Sequence, residues 1–175
     1  MKCVIHGSGG VGGYYGGCLA RAGHEVFFIA RGAHLDAIQQ QGLSIKSAKG
    51  DFRIETPKSG ERCDPNFDPD LVIVAVKSWQ LPEITEEIKN YCTPSTLILP
   101  LQNGADASDI LADTLGPEKV LGGLTKIFSK IEAPGVINHF TGATYIGFGE
   151  YFQDSQFQNA PDSLSERCRN LEKEL

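Results

Sequence analysis

Short apolar runs alternate with amphipathic segments along most of the chain. Residues 71–76, Leu-Val-Ile-Val-Ala-Val, are continuously apolar, which is typical of a strand buried on both faces of a sheet. Apolar residues spaced three and four apart predict a helix over residues 81–91. Similar patterns predict strands over 2–6, 25–30 and 96–101, and helices over 11–22, 34–41, 107–115 and 163–175. Strands that alternate with helices in this way favour a parallel α/β sheet.

Four stretches depart from that alternation. Residues 43–54 alternate apolar and polar side chains around a Lys-Gly-Asp turn, which predicts an inserted β-hairpin. Residues 56–69 are rich in proline and predict a loop, and residues 152–162 predict a polar loop before the last helix. Residues 120–148 predict several short β segments, because glycines and the pair Pro134-Gly135 interrupt the pattern.

The bulk composition narrows the class of function. A net charge of −6 leaves no sequence-wide basic footprint for DNA or RNA. No stretch approaches the ~20 apolar residues needed to span a bilayer, so we expect no membrane partner. The five cysteines are widely spaced and show no metal-ligand pattern. That usage predicts reduced thiols, no metal site and a cytoplasmic protein.

A glycine-rich loop follows the first predicted strand and opens the first predicted helix. It reads Gly7-Ser8-Gly9-Gly10-Val11-Gly12, the G-x-G-x-x-G spacing of dinucleotide-binding folds. Gly7 permits a tight turn, Gly9 the close approach of a pyrophosphate, and Gly12 the packing of helix on strand. The helix N-terminus then holds the phosphates, and the following strand favours this interpretation over a glycine turn without a ligand. The sequence therefore predicts one Rossmann-type domain over residues 1–175, a doubly wound, mainly parallel sheet with helices on both faces.

Arg31 stands at the end of the second predicted strand. NAD-binding domains usually place an acid there, which accepts a hydrogen bond from the ribose 2′-hydroxyl. A guanidinium can instead pair with a 2′-phosphate in forked geometry. Asp36, the acid nearest to Arg31 in the sequence, falls inside the next predicted helix. We therefore predict NADP(H) as the cofactor, with a solvated surface arginine as the alternative.

Two polar residues follow later strands, at the sheet edge where open α/β folds bind ligands. Lys77 suits a cofactor phosphate, a ribose or a substrate anion, and a lysine that simply reaches water is the alternative. Asn103 suits a ribose, a carboxamide or a substrate hydroxyl, although Asn-Gly is also a common turn. The four histidines are interpreted as packing or surface residues, and Trp79 as a packing residue rather than a stacking platform.

Further motifs accompany these sites and together specify a family. They are Gly23-His24-Glu25-Val26, Val76-Lys77-Ser78-Trp79-Gln80, Gln102-Asn103-Gly104, and Pro134-Gly135-Val136-Ile137-Asn138-His139 followed by Ile146-Gly147. Over essentially its whole length the chain resembles the N-terminal domain of the ketopantoate reductase (2-dehydropantoate 2-reductase) family. By this resemblance, residues 7–12 bind the pyrophosphate of NADP and Arg31 its 2′-phosphate. Lys77 and Asn103 then lie beside the nicotinamide ribose and the substrate.

The resemblance also implies an activity, the NADPH-dependent reduction of a 2-oxo acid. The family's substrate is 2-dehydropantoate, which is reduced to pantoate on the route to pantothenate and coenzyme A. The family's general-acid lysine belongs to a helical C-terminal domain beyond Leu175, so we assign no catalytic residue and expect this chain alone to be inactive. A homodimer is one candidate assembly of the full-length protein. Two alternatives stay open, a related hydroxyacid dehydrogenase with another substrate and a non-catalytic nucleotide-sensing or interaction domain.

Overall fold

The computed structural model describes residues 1–104, 106–152 and 165–175. The strands in these ranges are β1 (Lys2–His6), β2 (Glu25–Ile29), β3 (Leu43–Ser47), β4 (Phe52–Ile54), β5 (Lys58–Gly60), β6 (Leu71–Val74), β7 (Leu97–Pro100), β8 (Leu121–Ala133) and β9 (Val136–Glu150). The helices are α1 (Gly10–Arg21), α2 (Gly32–Gln41), α3 (Leu81–Lys89), α4 (Ala107–Leu115) and α5 (Glu166–Glu174). Among the helices described, none has the length and apolar character that crossing a membrane requires.

The first sheet is parallel throughout and has the strand order β5-β2-β1-β6-β7. Helices α1 and α2 pack on one face, with Tyr14 and Ile38 in the core there. Helices α3 and α4 pack on the other face, where Ile84 and Leu111 are buried. The strand order reverses between β1 and β6, which places a crevice at their carboxyl ends. The predicted Rossmann-type sheet with helices on both faces is confirmed.

Helix α1 lies between the first sheet and a second one, and its glycines let both approach closely. A Cβ at Gly16 would lie 2.6 Å from Ile5 of the first sheet. A Cβ at Gly13 would lie 2.8 Å from Ile137 of the second sheet. Real side chains at these positions would push the layers apart. The glycine-rich composition of α1 therefore serves packing as well as the loop that precedes it.

The second sheet has the strand order β4-β3-β9-β8. The predicted hairpin over residues 43–54 is confirmed, since β3 and β4 pair antiparallel. The prediction of several short segments over residues 120–148 is wrong, because β8 and β9 form one long antiparallel hairpin of 13 and 15 residues. Register shifts along β8 and β9 absorb the interruptions that the sequence shows. Only Pro134-Gly135 forms the turn between them.

The predicted loop over residues 56–69 is wrong at one point, because it contains β5. This strand pairs in parallel with β2, as the third strand of a Rossmann-type sheet does. Its three residues, Lys-Ser-Gly, carry no apolar signal, since the strand lies at the edge of the sheet. The helix predicted over 163–175 is observed as α5, and residues 153–164, with most of the predicted polar loop, lie outside the described ranges.

Candidate functional site

A cavity of about 280 Å³ opens at the carboxyl ends of β1, β2 and β6. It brings together five of the nine predicted site residues: Gly7, Ser8, Gly9, Arg31 and Lys77. Gly10, Val11, Gly12 and Asn103 do not line it. Ile131 of β8 also lines the cavity, so the second sheet contributes one wall. Sequence analysis did not predict that contribution.

The glycines of the loop have different local roles. Gly7 has φ +102°, and a Cβ there would lie 2.8 Å from the Val76 side chain, so the turn requires glycine. A Cβ at Gly12 would collide with the Gly7 carbonyl oxygen, which explains the close contact of α1 with β1. Gly9 differs from both, because a Cβ there would have no heavy atom within 4 Å. The space in front of Gly9 is therefore open to a ligand.

Gly9 is also the N-cap residue of α1. It has extended backbone, provides no side-chain cap, and the first turn of the helix contains no acidic residue. The N–H groups of the first turn therefore keep the partial positive charge of a helix N-terminus. A negatively charged group in the open space would meet that charge and those donors.

The loop is clamped on two sides by the protein itself. The Ser8 N–H donates to the Ile29 carbonyl at 3.0 Å. His34 Nε2 donates to the Ser8 carbonyl at 2.9 Å, while its Nδ1 accepts from the Gly135 N–H at 3.0 Å. Burial lowers the pKa of His34, which keeps the neutral ring that this arrangement needs. Sequence analysis interpreted His34 only as a packing or surface residue, and no local spacing marks its role.

Ser8 leaves a polar atom for a ligand. Its side chain is buried, and within the described part of the chain its Oγ has no hydrogen-bond partner. Buried polar atoms in native proteins are almost always paired, so an unpaired hydroxyl beside a cavity is suited to bind a ligand or a water. The hydroxyl therefore adds a donor and acceptor next to the open space at Gly9.

Arg31 also lines the cavity, as the N-cap residue of α2. Its side chain is half exposed, and its guanidinium lies 3.6 Å from Glu83 Oε1 and 3.8 Å from Glu87 Oε1. Asp36 is nearer in the sequence, but the acids that face Arg31 come from α3, more than fifty residues away. The strand order of the sheet brings them together, which no local pattern could show.

His6 ends β1 beneath the cavity and is buried. Its Nδ1 lies 2.9 Å from the Tyr91 hydroxyl, and its Nε2 lies 3.6 Å from Glu87 Oε2. Burial, with Arg31 nearby, lowers the pKa of His6 to about 4. The ring is therefore neutral at pH 7, and with Tyr91 as donor to Nδ1 the proton on Nε2 faces Glu87. At 3.6 Å, His6 Nε2 is a polar neighbour of Glu87 Oε2 and lies beyond hydrogen-bond distance.

Lys77 follows β6 and is exposed at the rim of the cavity. Its backbone N–H donates to Gln80 Oε1 at 3.1 Å, which closes the 3₁₀ turn over residues 78–80. Trp79 in that turn is 76% exposed, so its interpretation as a packing residue is wrong for the core described here. Trp79 is a surface residue within the described part of the chain.

Asn103 lies in the loop after β7 and is exposed. The adjacent Gln102 belongs to the same motif, but sequence analysis assigned it no role of its own. Both polar atoms of its side chain are buried and have no hydrogen-bond partner among the described residues. Like the Ser8 hydroxyl, the Gln102 amide is a buried polar group without a hydrogen-bond partner in the described part of the chain. It lies at the carboxyl edge of the sheet, where folds of this kind bind their ligands.

The site fits the phosphates of a dinucleotide in several independent ways. It has an open space at Gly9, a helix N-terminus, a buried hydroxyl at Ser8 and a guanidinium at Arg31. These groups are the donors and the positive charge that phosphates require. The class of protein is thus an α/β domain with an NAD(P)-binding oxidoreductase fold.

Comparison with known proteins assigns the family. The family model for ketopantoate reductase PanE/ApbA matches residues 3–151. This chain belongs to that ketopantoate reductase family. An uncharacterized oxidoreductase of Bacillus subtilis, YkpB, is 35% identical over 86% of this chain and 49% of its own length. The 2-dehydropantoate 2-reductase of Pyrococcus abyssi is 34% identical over 84% of this chain and 47% of its own length. The chain therefore spans about half the length of these relatives.

Solved structures agree on the fold. The crystal structure of 2-dehydropantoate 2-reductase from Porphyromonas gingivalis W83 matches with a TM-score of 0.85 and 30% identity, covering 99% of this chain and 60% of that one. A structure of D-mandelate dehydrogenase with NADH and anilino(oxo)acetate matches with a TM-score of 0.83 at 23% identity, over 99% of this chain and 53% of that one. The latter likeness concerns the fold alone.

Proposed function

We propose that this chain is the NADP(H)-binding half of an oxidoreductase that reduces a 2-oxo acid. The open space at Gly9, between the N-terminus of α1 and the cavity, is the observation that carries the proposal. The buried Ser8 hydroxyl and Arg31 line the same cavity, so this space lies among groups that suit a phosphate. The family membership supports the same chemistry.

Each group of the site has a part in holding the cofactor. Residues 7–12 bind the pyrophosphate through backbone N–H groups and the helix N-terminus. Arg31 pairs with the 2′-phosphate. Lys77 and Asn103 lie on the side of the nicotinamide ribose and the substrate. A bound NADPH supplies the hydride for a ketone. The residues of this chain would hold the cofactor in place for the reaction with the substrate.

The substrate that we propose is 2-dehydropantoate, reduced to pantoate. The support is that several relatives are named 2-dehydropantoate 2-reductase, among them that of Pyrococcus abyssi. By the family resemblance, we expect the proton donor in the half of the relatives that this chain does not span. The chain described here therefore binds the cofactor, and the reaction needs both halves.

Cofactor titration tests the first part of the proposal. We expect NADPH to bind more tightly than NADH, and Arg31→Asp to remove or invert that preference, by about 1–3 kcal/mol for a charge-assisted pair. Arg53→Asp is the matched control, because it makes the same charge change on the edge strand of the second sheet. Equal affinities for the two cofactors in the unmodified chain would contradict the proposal.

Turnover tests the second part. The oxidation of NADPH, followed at saturating 2-dehydropantoate, should stay at the cofactor-only background for this chain alone. Loss of one positioned general acid typically lowers a rate by about 10²–10⁴-fold, and loss of substrate positioning adds to that. The chain joined to the second half of the Pyrococcus abyssi relative should turn over. Steady turnover by the chain alone would instead indicate Lys77 as the acid, and a silent fusion that still binds NADPH would favour a sensing domain.

A further inference from the structure

Two carboxylates already face the guanidinium that is proposed to bind the 2′-phosphate. Glu83 and Glu87 lie one helical turn apart on α3, so their side chains share one face of the helix. Their oxygens lie 3.6 and 3.8 Å from the same terminal nitrogen of Arg31. Arg31 is therefore paired before any ligand arrives.

The two carboxylates are held to different degrees. Glu83 is 65% exposed and has room to swing into solvent, so its pairing with Arg31 is weak. Glu87 is only 21% exposed, and its second oxygen is buried near His6 without a hydrogen-bond partner in the described ranges. His6 is itself fixed by Tyr91. Burial therefore gives the carboxylate of Glu87 less room than that of Glu83 to move away from Arg31.

This arrangement acts oppositely on the two forms of the cofactor. A 2′-phosphate carries about −1.5 to −2 charges at neutral pH, so it is attracted by Arg31 and repelled by Glu83 and Glu87. A ribose 2′-hydroxyl donates a hydrogen bond that a carboxylate accepts, which is how NAD-binding domains recognise it. The site thus contains a guanidinium that suits the 2′-phosphate of NADPH, next to carboxylates that suit the 2′-hydroxyl of NADH.

We infer that Glu83 and Glu87 are specificity-determining residues that offset Arg31 and narrow the preference for NADPH over NADH. The inference rests on the proposed function, in which Arg31 meets the adenosine ribose. Glu83 acts as a competitor that the phosphate displaces. Glu87 acts as a fixed charge that the phosphate must tolerate, so its effect is the larger of the two.

Neutral variants of the carboxylates test the inference. The ratio of the NADH to the NADPH dissociation constant is measured for Glu83→Gln, Glu87→Gln and the unmodified chain. The same comparison with 2′,5′-ADP and 5′-AMP confines the readout to the adenosine end. We expect the ratio to rise about 2–5-fold for Glu83→Gln and roughly tenfold for Glu87→Gln. Glu86→Gln, an exposed position on the same helix, should leave it unchanged.

The outcomes separate this inference from the proposed function. Unchanged ratios in both variants, with a changed ratio in Arg31→Asp, would overturn the inference and leave the cofactor proposal standing. A lower ratio in the variants would also overturn it, because the carboxylates would then orient Arg31 for the phosphate. An unchanged ratio in Arg31→Asp would overturn both. Glu83 is exposed, so Glu83→Gln decides the matter even if Glu87→Gln fails to fold.

Discussion

The two sheets of the molecule differ in how many of their faces are buried. In the first sheet, strands such as β6 are buried on both sides, and the polar residues gather at the carboxyl edge, where the cavity lies. In the second sheet, only the side toward α1 is buried, and the hairpin of β8 and β9 exposes large apolar side chains. These are Leu124, Phe128, Ile131, Phe140 and Tyr145.

The second sheet nevertheless contacts the core of the first sheet and the residues that position the glycine loop. Ile45 and Ile137 join the core cluster that contains β1 and β2. The Gly135 N–H donates to His34, which in turn holds the Ser8 carbonyl. The backbone of β8 at Ser129 also lies against Gly10, where a Cβ would come within 2.6 Å of its carbonyl. The second sheet therefore supports the loop, while the first sheet supplies the edge at which the cavity opens.

The largest expected effect comes from closing the open space in the first region. Gly9→Val should abolish binding of NADPH and NADH, a loss of more than ~1000-fold or about 4 kcal/mol. The fold should persist, because the backbone at Gly9 is extended and a Cβ meets no atom there. Circular dichroism and a binding titration measure the two properties.

Gly149→Val supplies the control for that prediction. Gly149 lies in β9 of the second sheet, and a Cβ there also meets no heavy atom within 4 Å. The added volume is the same, so binding should be unchanged if only the loop faces the cofactor. Normal binding by Gly9→Val would show that the glycine serves the turn alone.

A core substitution in the second sheet should have the next largest effect. Ile137→Ala should lower the free energy of unfolding by about 3–4 kcal/mol, because the fully buried side chain leaves a cavity against α1. Phe128→Ala, at a side chain 51% exposed, should change it far less. Denaturant unfolding of both variants should be a single transition, since the two sheets share a core. Two separate transitions would mean that the second sheet is an independent unit.

The contrast between the sheets also explains what the sequence could predict. Strands β1, β2, β6 and β7 are apolar runs because both faces are covered, so their positions were predictable to within two residues. β8 and β9 were divided wrongly because their glycines look like breaks. Gly123 instead lies against the Pro100 carbonyl, and Gly142 has φ +85° where the register shifts.

The same limit applies to the site. The glycine loop and Arg31 carry local signals of spacing and of position after a strand. Glu87 and His6 carry none, because they meet only through the order of β1 and β6 and the packing of α3 over them. Contacts that the topology creates between distant segments leave no periodic pattern in a single sequence.

The buried histidine of the first sheet predicts a dependence of stability on pH. The pKa of His6 falls from 6.5 to about 4 on folding, so the unfolded chain binds more protons between those values. The free energy of unfolding should therefore have its full value above pH 6.5. It should fall as the pH drops toward 4, by up to about 3 kcal/mol. The His6→Gln variant should lack this part of the dependence of the free energy of unfolding on pH. Parallel curves for the variant and the unmodified chain across this range would contradict the assignment.

The smallest of these effects concerns the contact that joins the two regions. His34→Ala removes the hydrogen bonds to the Ser8 carbonyl and from the Gly135 N–H, so the loop loses its link to the turn of the second sheet. We expect NADPH binding to weaken about 5–30-fold, or 1–2 kcal/mol, since two net hydrogen bonds preorganise the loop. His24→Ala is a matched control, because His24 also makes two polar contacts but lies at the amino ends of the strands of the first sheet, away from the cavity. Equal weakening in both variants would attribute the effect to general destabilisation. An unchanged affinity in His34→Ala would show that the first sheet holds the loop without the second.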